Sequence, residues 1–149
     1  MNEAVAETAR AWTRSIEAEV STTEGEHPAE PLRRMLVGTV DRFEELAPYL
    51  RSFVEAFPPA VRSKDLRQVM ATAYEEVRLA GAALIEQIFE GADTPSAAEH
   101  RRVIASLLLA LCDGLILQWL LDPDAVPDSQ AILDALAAVA SRYTQELAT

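Results

Sequence analysis

Two histidines, one cysteine and several paired acids are the residues of this 149-residue chain whose types could do chemistry. His27 sits in the loop "STTEGEHP" and His100 beside a helix start, and neither has the i, i+4 partner that a metal site on a helix needs. Cys112 would need a base brought from another element to act as a nucleophile. Its neighbours Leu108, Leu111 and Leu115 read it instead as a small buried hydrophobe. The pairs Glu44–Glu45 and Glu75–Glu76 point to different helix faces, mostly to solvent. "DPDAVPD" spaces its aspartates without the glycine and terminal glutamate of a calcium loop, and reads as turn and cap chemistry. No phosphate loop, dinucleotide fingerprint or basic-aromatic interleaving is present. These patterns predict no catalytic residue, no metal and no cofactor, and the chain does not read as an enzyme.

Asp113–Gly114 is the unusual pair. Glycine in a helix interior costs about 1 kcal/mol relative to alanine, so it implies close approach of another backbone or room for a ligand. A buried aspartate beside it needs a partner.

The elements that carry these residues are all helical. Val5, Ala9, Trp12, Ile16 and Val20 make one stripe of a helix over 2–20. Gly25 breaks it, and Pro28 opens a second over 28–46 with Leu32, Met35, Leu36, Val40 and Phe43 inward. Pro48 opens a short helix with Leu50, Phe53, Val54 and Phe57, which "FPP" ends. A long helix over 60–90 follows, with Gly91 at its C-terminal cap. Thr94 with Pro95, or Ser96 with Glu99, starts a helix running to Leu121, and the last spans 128–147. The expected fold is all-α, an antiparallel bundle of about six helices forming a single domain over 1–149.

Bulk composition agrees. Formal charge is −11, which opposes direct contact with nucleic acid. The one cysteine fits a reducing compartment, and no basic-then-apolar leader opens the chain. The reading is a cytoplasmic protein with no membrane segment, although Val103 to Leu121 matches a bilayer in length.

That run has only Ser106, Asp113, Gly114 and Gln118 outside the apolar class, so its helix is apolar on every face. One side packs on its own domain, and the other requires a second chain, most simply in a two-fold homodimer. Helices 95–121 and 128–147, joined by a short turn, are expected to lie antiparallel and to pair as a four-helix bundle. The expected interface residues are Leu109, Asp113, Ile116, Leu117, Leu120, Ile132, Leu136 and Tyr143. Extra apolar and aromatic residues on the central helices, with Phe53 and Phe57 as a wall or lid, suggest a small-molecule pocket. Its expected lining is Thr39, Phe43, Phe53, Phe57, Tyr74, Val77, Leu108 and Cys112, with nearby acids favouring a cationic or neutral apolar ligand.

The segment "ALCDGLILQWLLDPDAVPD", followed by an amphipathic last helix, resembles the C-terminal regulatory domain of TetR-family transcriptional repressors. The likeness is closest to the branch of the choline-responsive repressor. It covers nearly the whole chain, with "ELAPYLRSFVEAFPP" also in its expected place. The resemblance implies an effector pocket among the central helices and dimerisation through the last two. It also implies an N-terminal helix-turn-helix domain that reads an operator. This sequence departs from that pattern by beginning at the helix that would link the two domains. The expectation is therefore an effector-sensing, dimerising domain that makes no nucleic-acid contact of its own. The alternative is a stand-alone regulator-like protein that pairs with full-length relatives.

Overall fold

The structure, a computed structural model, describes residues 30–88 and 94–147. The expected helix over 2–20, His27 and the Gly91 cap lie outside the described residues. Six α-helices and one 3-10 turn make up the rest: α1 (Glu30–Asp41), α2 (Phe43–Glu55), α3 (Phe57–Arg62), α4 (Lys64–Ile88), α5 (Pro95–Leu121), the turn Pro123–Ala125 and α6 (Ser129–Leu147). The fold is all-α, with no strand among the described residues.

Side-chain caps fix where the long helices begin. Ser63 is extended, and its hydroxyl accepts from Leu66 N at 3.3 Å, which starts α4. Thr94 caps α5 by accepting from Ala97 N at 3.2 Å, with Pro95 in the first turn. Asp128 caps α6 through Ala131 N at 2.8 Å. Of the two starts expected for α5, the threonine one is realised.

The prolines behave differently from expectation. Pro48 lies inside α2 rather than opening it, and the expected helix over 28–46 breaks instead at Arg42, whose φ is −102° and ψ 5°. A proline in the second turn forfeits a single helical hydrogen bond, which the surrounding packing of Phe43 and Leu50 outweighs. Pro58 and Pro59 follow the end of α2 but also start α3, where their missing N–H groups have no helical partner to lose.

Helices α4 and α5 are the frame, about 37 Å and 40 Å long at 1.5 Å per residue. They pack closely at Gly81, where a Cβ would stand 3.2 Å from Ala105 Cβ. Inside them, Met35, Leu36, Leu84 and Cys112 form one core cluster. Phe43, Leu50, Leu115, Ile116 and Ile132 form a second. Ala56, Ala60, Leu66 and Met70 form a third under α3.

The last helix departs from the expected pairing. Among the described residues α6 packs on α1 and not alongside α5. Ile132 and Leu133 in its first turn enter the core, whereas residues 134–142 are all exposed. In the connection, Pro123–Ala125 take up a 3-10 turn, Val126 packs on the Phe43 cluster, and Asp128 caps the new helix.

Candidate functional site

Three aromatic rings from three helices meet at one edge of the α4–α5 frame. Phe53 of α2 lies across Tyr74 of α4, with ring centroids 5.8 Å apart and planes at 29°. Phe57, at the start of α3, meets Phe53 edge-on at 5.3 Å and Tyr74 at 6.2 Å. Such tilted and offset contacts suit the ring quadrupoles. Behind them the Tyr74 hydroxyl donates to Asp113 Oδ2 at 2.7 Å, joining α4 to the middle of α5. The site is thus a cluster of π-faces backed by a carboxylate.

Its electrostatics follow from burial. Asp113 is largely desolvated, which holds its carboxyl above the usual carboxylate range although the Tyr74 hydrogen bond pulls the other way. Burial raises the Tyr74 phenol too, reinforced by the hydrogen bond to Asp113 and by that residue's charge. Burial, with a lesser contribution from Asp113, pushes the Cys112 thiol up to about 12, so at neutral pH it is a thiol and a poor nucleophile.

Because folding favours the protonated Asp113 carboxyl, the stability it contributes is complete below the unfolded pKa of about 3.9 and is lost as pH rises through the higher folded value. Asp113→Asn keeps an oxygen that can accept from Tyr74 and removes the buried charge. The variant is expected to be more stable than the native chain at pH 7, with the difference vanishing below about pH 4. Denaturant unfolding across pH 3–7 checks this, and a difference independent of pH contradicts it.

One helical turn inward from Tyr74 and Asp113, a cavity of about 30 Å³ lies among α1, α4 and α5. Met35, Thr39, Val77, Gly81, Leu84, Ala105, Leu108, Leu109 and Cys112 line it. That is room for about one water, against the several hundred cubic ångströms that a drug-sized ligand occupies. The expected lining therefore separates into three places. Thr39, Val77, Leu108 and Cys112 surround the small cavity, and Phe53, Phe57 and Tyr74 form the separate ring cluster. Phe43 is only 1 % exposed and packs its ring 5.8 Å from Trp119, within the core. A wider, open depression of about 450 Å³ lies at the start of α5, where His100 and Arg101 line it, but it has no aromatic wall. Among the described residues no group of His, Cys, Asp and Glu could hold a metal ion.

The residues expected at a dimer contact are also dispersed. Leu109 faces the small cavity, Asp113 faces Tyr74, Ile116 and Ile132 are buried, and Leu120 packs on the Phe43 cluster. Leu117 and Leu136 are exposed, and the side chain of Tyr143 lies outside the described residues. A helix apolar all round gives no indication from sequence of which ridge its own domain covers. Sequence reasoning also missed the outer edge of the α4–α5 seam. There Glu75 accepts from Arg102 at 2.6 Å and from Arg78, and Arg78 Nε donates to Ser106 Oγ at 2.8 Å. The Arg102 hydrogen bond foremost, then that of Arg78, holds the Glu75 carboxyl below its ordinary range. The signal was available only as the i, i+3 pair Glu75–Arg78, since Arg102 is distant in sequence.

The described residues thus form an all-α frame whose ring cluster is tied to α5 through Asp113. Residues 28–148 match the family described as "BetI-type transcriptional repressor, C-terminal", and the chain belongs to that family. No curated protein and no solved structure matches it.

Proposed function

We propose that this chain is the effector-sensing and homodimerisation domain of a TetR-type repressor, acting in the cytoplasm without nucleic-acid contacts of its own. The effector is a small cationic or neutral apolar molecule. The observation that carries this reading is the Phe53–Phe57–Tyr74 cluster backed by Asp113, with the Thr39–Cys112 cavity on the same two long helices. Aromatic faces attract a cation through their quadrupoles, most strongly where water is excluded, and the half-buried carboxylate adds a complementary charge. The three rings pack against one another, so binding parts them. Phe57 is the ring placed to move, because it is 40 % exposed and stands on a six-residue helix. Family membership and the uncovered apolar surface of α5 and α6 support self-association.

A thermal-shift screen with quaternary-ammonium and neutral hydrophobic compounds tests the sensing role. A compound present at a hundred times its Kd adds about 2.7 kcal/mol and raises the midpoint by roughly 5–10 °C in a domain of this size. The gain should disappear in Phe57→Ala and Tyr74→Ala. If no compound shifts the midpoint, and these two variants behave like ordinary core truncations, the sensing role is wrong.

A further inference from the structure

Asp113 is a desolvated acid without a cation. Among the described residues its carboxylate has one partner, the Tyr74 hydroxyl, which donates to Oδ2 at 2.7 Å and leaves Oδ1 unspent. Other acids have what it lacks. Glu75 accepts from both Arg102 and Arg78, Glu86 pairs with Arg101, and Glu45 pairs with Arg42. Burial accordingly raises the Asp113 carboxyl, whereas the arginines hold those of Glu75 and Glu45 low. A phenol lends a single hydrogen bond and no charge, so a desolvated carboxylate held this way is still short of a counter-ion.

The rings beside it are arranged to hold an apolar body and not a charged head. A cation attracted by a ring sits over an open face, within about 6 Å of the centroid. Phe53 and Tyr74 turn their faces to each other, with planes at 29°. Phe57 stands nearly perpendicular to both, at 88° and 86°. The three make a compact stack, not a box of π-faces around one point. A group bonded to Asp113 Oδ1 lies beside the Tyr74 hydroxyl, because both oxygens belong to one carboxylate. A short alkyl chain carries it from there to the edge of the rings.

We infer that the effector is a primary or secondary ammonium on a short apolar body, its N–H donating to Asp113 Oδ1 while the body enters between Phe57 and Tyr74. The inference rests on the sensing role proposed above and narrows it to cations that carry an N–H. A quaternary ammonium has the charge but no donor, and its methyl groups hold the carboxylate at a distance. A neutral alcohol has the donor but no charge, and a hydrogen bond assisted by charge is roughly twice as strong as a neutral one. An anion meets the Asp113 carboxylate in a chain that already carries −11.

Isothermal titration with phenethylammonium, phenethyltrimethylammonium and 2-phenylethanol, which share one body, tests the head group. Phenethylammonium should bind about 10-fold more tightly than either of the others, or better. In Asp113→Asn, which keeps an acceptor for Tyr74, that advantage should shrink to about 2-fold or less. Phe57→Ala should weaken all three alike, since its ring meets the body and not the head. The comparison on the native chain needs no variant, so it decides even where a substitution disturbs folding. Equal affinity for the ammonium and the trimethylammonium, or an advantage that survives Asp113→Asn, overturns the inference and leaves the sensing role standing. If none of the three binds while another compound shifts the unfolding midpoint, the inference again fails alone. If no compound of either kind binds, both fail.

Discussion

Phe43→Ala is expected to cost about 3–5 kcal/mol of folding stability, a large fraction of what a domain this size has. The ring is 1 % exposed and joins three elements, touching Trp119 of α5 and sharing a cluster with Leu50 of α2 and Ile132 of α6. Removing it opens a void that these neighbours close only in part, because each is anchored on a different helix. The unfolding midpoint should fall by on the order of 10 °C. Phe57→Ala provides the contrast. Its ring is 40 % exposed and makes two edge-on aromatic contacts, so truncation should cost on the order of 1 kcal/mol. Urea denaturation of the two variants beside the native chain measures both. Equal losses would place Phe57 in the core with Phe43 and remove the basis for a ring that moves.

That contrast marks how far the sequence was readable. Both phenylalanines stand in helices with apolar stripes, and the sequence places both in the pocket lining. What separates them is tertiary. Phe43 begins α2 with its ring against Trp119, whereas Phe57 begins a six-residue helix and stays partly exposed. The helices themselves were legible because their ends carry chemistry: Thr94–Pro95 before α5 and Asp128 before α6 are caps that need no distant partner. Arg42 ends α1 with no glycine or proline to announce it.

Pairings across the fold were less accessible. Asp113 in an apolar helix needs a partner, but nothing local names Tyr74, 39 residues away. A short connection suggests that α6 lies beside α5, but length does not determine angle, and the contacts of α6 are with α1. The ridge of α5 was hidden for the reason that made the helix conspicuous. When every face is apolar, the pattern shows that something must cover the outer side without showing which side is outer. Only burial by α4 and α2 distinguishes Leu109 and Ile116 from Leu107 and Leu117.

Gly81→Leu is expected to destabilise the fold by about 1–3 kcal/mol, while Gly81→Ala changes it little. The two outcomes come from opposed terms at one crossing. Alanine gains about 1 kcal/mol over glycine in a helix interior. Its Cβ, however, would stand 3.2 Å from Ala105 Cβ, closer than two methyl groups sit comfortably, so α4 and α5 must part by a few tenths of an ångström. Leucine adds three more carbons at the same point. The neighbouring cavity of about 30 Å³ has room for about one water-sized group and cannot take them all. The helices then separate further, straining the Tyr74–Asp113 and Glu75–Arg102 bonds that tie the seam on its outer edge. Equilibrium unfolding in urea, with an unchanged slope and a lower midpoint, is the expected signature for leucine. If Gly81→Leu is tolerated as well as Gly81→Ala, α4 and α5 are not held at this distance, and the cavity between them is larger in solution than 30 Å³.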